Sequence, residues 1–183
     1  MGKYRGTSLV ELLACLALAA LLLGLAAPSM NTLLLNARLA NGLHGLSGSL
    51  AAARFTAIAQ GVPVTVCPSA DGRRCRTDLE WSEGWLLYRD PEGAPQPRDA
   101  EAILHHVDRP LRGVSVRSSA GRHRVRFQPT GMAGGGNVTL RLCAGRPPGL
   151  RGEVIVSLSG RARVQRHEAP GKSCPWAPAA RAP

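Results

Sequence analysis

The sequence has few aromatic residues: only 4% are Phe, Trp or Tyr, so it lacks the stacking platforms on which single-strand nucleic-acid binders rely. Lysine is also scarce, since only Lys3 and Lys172 occur and the remaining basic charge is arginine. No P-loop, H-E-x-x-H or G-x-S-x-G motif is present, and the histidines are scattered. We therefore expect no enzymatic activity, no catalytic residue, no cofactor and no metal site.

The charge of the chain is unbalanced toward the basic side. There are 23 Lys and Arg against 12 Asp and Glu, for a formal net charge of +11. Such an excess predicts attraction to polyanions such as nucleic acid or anionic lipid, although it also occurs in proteins with no specific anion partner. The 183 residues are 44% hydrophobic, enough for one modest domain, and 21 Gly and 14 Pro indicate many turns.

The N-terminal region has the pattern of a membrane-spanning helix. No residue from Leu12 to Ala37 is charged, and this run is long enough to cross a bilayer core of about 30 Å. Lys3 and Arg5 precede the run, which predicts that the N-terminus stays cytoplasmic. Glu11 lies at the start of the apolar run, where an unpaired carboxylate is costly, so we expect it to have an ionic partner or a functional role.

The segment Gly6-Thr7-Ser8-Leu9-Val10-Glu11-Leu12 resembles the class III signal of type IV pilins and type II secretion pseudopilins. The resemblance implies that prepilin peptidase cleaves between Gly6 and Thr7 and methylates the new N-terminus. It also implies that Glu11 is the assembly carboxylate, which pairs with the N-terminal amine of a neighbouring subunit. Thr7 departs from the family, which usually has Phe at this position.

Beyond Pro28 the pattern becomes that of an amphipathic helix ending near Gln60, before Gly61 and Pro63. One face of this helix is expected to pack on a sheet; it consists of Leu39, Leu43, Leu46, Leu50, Ala53 and Ala57. Short β-type runs separated by turn residues follow. They are Val62–Cys67, Trp85–Tyr88, Val114–Arg117, Arg124–Phe127, Val138–Cys143, Glu153–Leu158 and Ala162–Arg166. The fold class is therefore α+β, with an antiparallel β domain.

Five cysteines are present, and only Cys15 lies in the apolar run. The other four are Cys67, Cys75, Cys143 and Cys174, and their spacing is not that of a zinc site. Together with an export signal, they favour disulfides, for which three pairings are possible.

The remainder of the chain resembles the FimT/GspH group of minor pilins and pseudopilins. The similarity lies in Cys67-Pro68-Ser69, in Trp81-Ser82-Glu83-Gly84-Trp85, in Phe127-Gln128-Pro129-Thr130-Gly131 and in the closing cysteines. It implies a type IV pilin fold, in which a long N-terminal helix with a transmembrane first half packs on a C-terminal antiparallel β domain. It implies the disulfides Cys67–Cys75 and Cys143–Cys174. The expected segments are a leader (1–6), a transmembrane half-helix (7–34), an amphipathic half-helix (35–60), a β-rich domain (61–175) and a flexible tail (176–183).

Gly160-Arg161-Ala162-Arg163 resembles the GRxR motif of FimT proteins that bind DNA during natural transformation, although Gly121-Arg122-His123-Arg124 also matches it. Residues two apart on a strand share a face, so Arg161 and Arg163 would present guanidiniums about 6.6 Å apart, near the spacing of backbone phosphates. The C-terminal region around the motif is also basic. The predicted DNA-binding residues are Arg146, Arg151, Gly160, Arg161, Arg163, Arg166 and Lys172.

Two functions fit these patterns. The first is a minor type IV pilin that binds DNA non-specifically and promotes DNA uptake. The alternative is an assembly minor pilin, or a GspH-like pseudopilin of type II secretion, without DNA binding. Either protein would have a single span in the bacterial inner membrane, a periplasmic globular domain and a place in a pilus or pseudopilus. The expected partners are other pilin subunits, prepilin peptidase and, for the first function, the phosphate backbone of DNA.

Overall fold

The computed structural model describes residues 8–108, 111–145, 148–167 and 172–176, apart from the side chains of residues 23–29. The chain divides into two compact units, Met1–Asn36 and Ala37–Pro183. The predicted cleavage site at Gly6 and Thr7 lies outside the described residues.

The first unit contains the beginning of helix α1, which runs from Leu9 to Gln60. The backbone N–H of Leu12 donates to the carbonyl of Ser8 at 3.1 Å. Glu11 lies in the first turn, where a negative charge interacts favourably with the helix dipole. Within the part of the chain that the structure describes, no helix combines the length and apolarity that crossing a membrane requires.

The second unit begins with the remainder of α1, and its packing face is the one that the sequence predicts. All six predicted side chains are buried, from Leu39 to Ala57. Two glycines on this part of the helix let neighbours approach: a Cβ at Gly42 would lie 3.0 Å from Leu111 Cδ1, and one at Gly45 would lie 3.5 Å from Trp85. The helix ends at Gln60 because Gly61 takes a φ of 65°, a common helix terminator.

Among the described residues of this unit, nine strands form two antiparallel sheets. They are β1 (Val64–Pro68), β2 (Trp85–Arg89), β3 (Ile103–Val107), β4 (Val114–Ser118), β5 (Val125–Phe127), β6 (Ala133–Gly134), β7 (Val138–Ala144), β8 (Gly149–Val156) and β9 (Ala162–Arg166). The first sheet has the order β3-β2-β1-β5-β6, and the second has the order β4-β7-β8-β9.

Both sheets contact α1 within this unit. On the first sheet, Trp85 Nε1 donates to Ser49 Oγ at 2.8 Å, which satisfies the indole of a buried side chain. On the second sheet, Gly152 faces Leu43, and a Cβ there would lie only 2.9 Å from Leu43 Cδ1. Every buried apolar side chain among the described residues lies between Leu39 and Cys174, so the second unit has its own core.

The structure contains the disulfides Cys67–Cys75 and Cys143–Cys174. Cys67 and Cys75 pack with Leu86 and Tyr88 in the buried cluster on one side of the first sheet. Cys143 and Cys174 form another cluster with Leu150, against which Trp176 packs. Trp176 is the first residue of the expected tail, and residues 177–183 lie outside the described residues.

Apart from shifts of one or two residues at the ends of other strands, the predicted strands differ from the structure in three places. Strand β3, which includes His105 and His106, was not among the predicted runs, and neither was β6. Strand β8 was predicted as Glu153–Leu158, but it begins at Gly149 and ends at Val156. The chain leaves β8 earlier because residues 157–160 form the turn into β9.

Candidate nucleic-acid interface

The predicted DNA-binding motif lies at the turn between β8 and β9. The N–H of Gly160 donates to the carbonyl of Ser157 at 2.8 Å, and the N–H of Ser157 donates to the carbonyl of Arg161 at 3.1 Å. Gly160 has a φ of 75°, in the left-handed region that favours glycine. The turn therefore requires glycine at the first position of the motif.

A second constraint on Gly160 is its contact with the Phe-x-Pro-x-Gly turn. A Cβ at Gly160 would lie 1.9 Å from the carbonyl oxygen of Gly131, so no side chain fits. The same carbonyl accepts a hydrogen bond from Arg54 Nε on α1 at 2.9 Å. The N–H of Ala133 donates to the carbonyl of Leu158 at 2.9 Å and joins the two turns again. The Gly-Arg-x-Arg motif and the Phe-x-Pro-x-Gly motif, which are far apart in the chain, are thus in direct contact.

The register of β9 assigns its side chains to two faces. Ala162, Val164 and Arg166 pair with Val156, Val154 and Gly152 of β8, whose side of the sheet is buried against the helix. Arg163 pairs with Ile155 and lies on the outer face, together with Gln165. Arg161 precedes the strand by one residue, so the register does not assign it to a face; it is exposed and lines the groove beside α1.

The pair of Arg161 and Arg163, called here the β9 arginine pair, is exposed at the last strand of the second sheet. Neither side chain has a hydrogen-bond or ion-pair partner among the described residues. Both cationic groups are therefore available to an external anion.

Arg166 does not belong to the same surface. It lies on the helix side of the strand, and its Nη2 is 3.2 Å from Nε2 of His44. The strand thus separates Arg166 from Arg163, although the sequence groups the two residues.

The other predicted residues surround the interface unevenly. Arg151 is half-buried on β8, and its carbonyl accepts from the N–H of His167 at 3.0 Å. Lys172 is exposed, and its carbonyl accepts from the N–H of Leu150 at 2.8 Å, beside the Cys143–Cys174 disulfide. Arg146 lies outside the described residues.

Two further arginines on the outer face of the second sheet are neutralised locally. Arg141 Nε is 3.0 Å from Glu153 Oε1, and His167 Nε2 is 3.1 Å from the other oxygen of Glu153. Arg117 Nε is 3.0 Å from Glu80 Oε2. These ion pairs leave Arg163 as a more available positive charge on this face than Arg141 or Arg117.

A groove of about 740 Å³ adjoins the β9 arginine pair, between α1 and β9 within the second unit. Its walls include Arg161, Val164, Arg54, Phe55 and Ile58. Phe55 is 73% exposed and Ile58 is 50% exposed, so the groove offers apolar surface next to a free cation. Neither Arg54 nor Phe55 was predicted as a site residue, because both lie off the packing face of the helix, and only their position beside Ala53 distinguishes them in the sequence.

Acidic groups outside the interface are stabilised in their charged form. The backbone N–H groups of Arg73 and Arg74 both donate to Asp71 Oδ1 at 2.9 Å, and these bonds lower the pKa of Asp71. The hydrogen bond from Arg76 likewise lowers the pKa of Asp78. The Asp78 carboxylate therefore pairs with Arg76 and neutralises its charge, so Arg76 is not available to an external anion.

The predicted assembly carboxylate, Glu11, is exposed at the start of α1. Its pairing with the N-terminal amine of a neighbouring subunit stays a prediction. Within the described residues no group of three or more His, Cys, Asp or Glu side chains is arranged to hold a metal ion.

Comparison with known proteins shows a family match and two similar crystal structures. Residues 44–160 match the family described as Type II transport protein GspH. Two crystal structures of the type IV minor pilin FimU of Pseudomonas aeruginosa (strain PAO1) have a similar fold, each at 17% sequence identity. One has a TM-score of 0.51 and covers 67% of this chain and 89% of that chain. The other has a TM-score of 0.54 and covers 73% and 90%.

No curated protein matches the sequence significantly. The family match covers more than half of the chain, and the similarity to the FimU structures agrees with this chain's own long N-terminal helix and antiparallel sheets, which are those of the type IV pilin fold. The chain therefore belongs to the GspH family and is a type IV pilin-like protein of the FimT/GspH group.

Proposed function

We propose that this protein is a FimT-like minor pilin that binds DNA non-specifically and promotes DNA uptake in natural transformation. The observation that carries the proposal is the β9 arginine pair: two exposed arginines two positions apart at an edge strand, without an acidic partner among the described residues. Arginine forks suit phosphate oxygens. Binding is electrostatic and independent of base sequence, because nothing in the pair reads base edges.

The proposal includes the cellular context that the N-terminal sequence predicts. The leader is cut between Gly6 and Thr7 by prepilin peptidase, and the new N-terminus is methylated. The apolar run anchors the chain in the inner membrane, and the β domain is periplasmic. Glu11 then guides the subunit into a pilus, where many copies offset the weak binding of each one.

The test is the salt dependence of duplex DNA binding by residues 35–183, which contain the whole core among the described residues. The wild type is compared with an Arg161→Gln/Arg163→Gln double variant. Loss of two phosphate contacts is expected to lower the magnitude of the slope of log K against log salt by about 1.8. A matched control is Arg73→Gln/Arg74→Gln, which removes the same charge from an exposed loop outside both sheets.

Equal loss of affinity in both double variants would mean that only net charge matters, and it would refute the assignment to β9. An absence of binding by the folded wild type at low salt would refute DNA binding altogether.

The second candidate function is assembly without DNA binding, either as a pilus-priming minor pilin or as a GspH-like pseudopilin of type II secretion. The exposed Phe55 and Ile58 in the groove favour it, because exposed apolar surface of this kind suits contact with another subunit. Under this function the edge arginines would serve to prevent strand pairing between sheets. A Phe55→Ser variant would then reduce the number of pili or secreted protein, whereas the β9 double variant would not.

A further inference from the structure

A second basic cavity lies away from β9, on the first sheet. It has a volume of about 480 Å³ and is lined by arginine, histidine, glutamine and glycine; its chief residues are Arg122, His123, Arg124, Arg126, Gln128 and Gly135. No carboxylate is among its lining residues. We call it the glycine-turn pocket, because the turn after β6 forms one wall.

The glycine turn makes room for one of the cationic groups. A Cβ at Gly135 would lie 2.7 Å from Arg122 Nη1, and one at Gly136 would lie 3.0 Å from Arg122 Nη2. Both glycines also have positive φ, at 84° and 96°. A side chain at either position would displace the guanidinium, so the turn and Arg122 are fitted to each other.

Arg122 and Arg124 keep their charge uncompensated in this pocket. Arg124 Nη1 donates to the carbonyl of Ala94 at 2.8 Å, a neutral acceptor that orients the side chain without cancelling its charge. The guanidinium of Arg122 has no hydrogen-bond or ion-pair partner among residues 8–108, 111–145, 148–167 and 172–176. Two half-buried arginines, of which Arg124 is oriented by a backbone carbonyl, therefore meet at one cavity.

Arg126 has a different part in the pocket. Its Nε is 3.1 Å from Asp90 Oδ2, and its Nη2 donates to the carbonyl of Asp90 at 2.8 Å. The Asp90 side chain is 1% exposed and also accepts from Thr65 Oγ1 at 2.7 Å. The charge of Arg126 is thus neutralised and its side chain is held in place by Asp90. The Asp90 carboxylate is buried and does not line the cavity.

We infer that the glycine-turn pocket binds a phosphoryl group. Two guanidinium forks offer charge-assisted, bidentate hydrogen bonds, which a phosphate oxyanion accepts better than a neutral ligand does. The His123 ring and the Gln128 amide supply further polar groups at the rim. The site lies on a different sheet from the β9 arginine pair and does not depend on DNA binding there.

The test is calorimetric titration of the full-length chain in an uncharged detergent with inorganic phosphate. We expect saturable binding that Arg122→Gln weakens about tenfold, since a hydrogen bond to a charged group is worth about that factor. Arg124→Gln should weaken it similarly. Arg73→Gln, which removes an exposed arginine outside the pocket, should leave it unchanged. Thermal unfolding of each variant verifies that it is folded.

Competition with duplex DNA identifies the source of the phosphoryl group. If DNA displaces phosphate from the wild type, the pocket holds a nucleic-acid phosphate; if it does not, the pocket holds a small phosphate ester. Both results support the site. An Arg161→Gln/Arg163→Gln variant should retain phosphate binding, which separates this site from the proposed DNA interface. The inference is overturned if the wild type shows no saturable phosphate binding, or if folded Arg122→Gln binds phosphate like the wild type.

Discussion

Replacing Gly160 with alanine tests the structural basis of the proposed interface. The added Cβ would lie 1.9 Å from the carbonyl oxygen of Gly131 and 3.1 Å from Arg54 Nε. The backbone at Gly160 also has a φ of 75°, which costs a residue with a Cβ about 1–2 kcal/mol. Overpacking adds about 1–3 kcal/mol. We therefore expect the free energy of unfolding of residues 35–183, measured in urea, to fall by about 2–5 kcal/mol.

Alanine substitutions at two other glycines distinguish the cost of the backbone conformation from the cost of overpacking. Gly61 has a φ of 65° but nothing within 4 Å of its Cβ position, so Gly61→Ala should cost only the conformational part, about 1–2 kcal/mol. Gly48 lies inside α1 with nothing within 4 Å and no positive φ, so Gly48→Ala should stabilise by about 0.5–1 kcal/mol. If Gly160→Ala costs no more than Gly61→Ala, the two turns do not touch, and the reasoning about the motif fails.

Three further predictions concern the stability of the same unit. Asp90→Ala should lower the free energy of unfolding by about 3–5 kcal/mol in urea, because it removes the acceptor of a buried ion pair; a loss below 1 kcal/mol would contradict this. Cys143→Ser/Cys174→Ser should cost about 2–4 kcal/mol by the same measurement, since the disulfide closes 31 residues of the unfolded chain; a wild-type urea midpoint would show that the bond is absent. Arg76 lowers the pKa of Asp78, so the carboxylate stabilises the fold above its ordinary pKa near 4 and less as the pH falls below it. The melting temperature of Asp78→Asn should therefore fall less than that of the wild type when the pH is lowered from about 4 to about 2.

Helix α1 was predictable because its pattern is periodic over many residues. The apolar positions recur at steps of three and four, and all of those predicted in the amphipathic half are buried. Its end was predictable for a local reason: a glycine follows Gln60 and takes a positive φ.

The missed strand segments lack a local signal. Strand β3 is an edge strand with only partly buried side chains, so its alternation of apolar and polar residues is weak. The first half of β8 contains Gly149 and Gly152, which argue against a strand in sequence alone. Gly152 is there because Leu43 of the helix packs directly over it, a contact between residues far apart in the chain.

The candidate interface was predictable only in part. The motif and strand periodicity predict Arg163 on the outer face of β9, as the register has it, but Arg161 precedes the strand and lines the groove beside α1. They do not reveal that Arg166 faces His44, or that Glu153 occupies Arg141. Those partners are set by the register between β8 and β9 and by the helix beneath, which local sequence does not encode.

The most direct test of the proposed function is a side-chain NMR titration of residues 35–183 with duplex DNA, following the Nε–Hε signals of individual arginines. We expect the signals of Arg161 and Arg163 to shift saturably and to return when salt is raised. We expect no shift for Arg166, which contacts His44, or for Arg141, which pairs with Glu153. Shifts confined to arginines outside β9, or none at all, would contradict the proposal that this strand binds DNA.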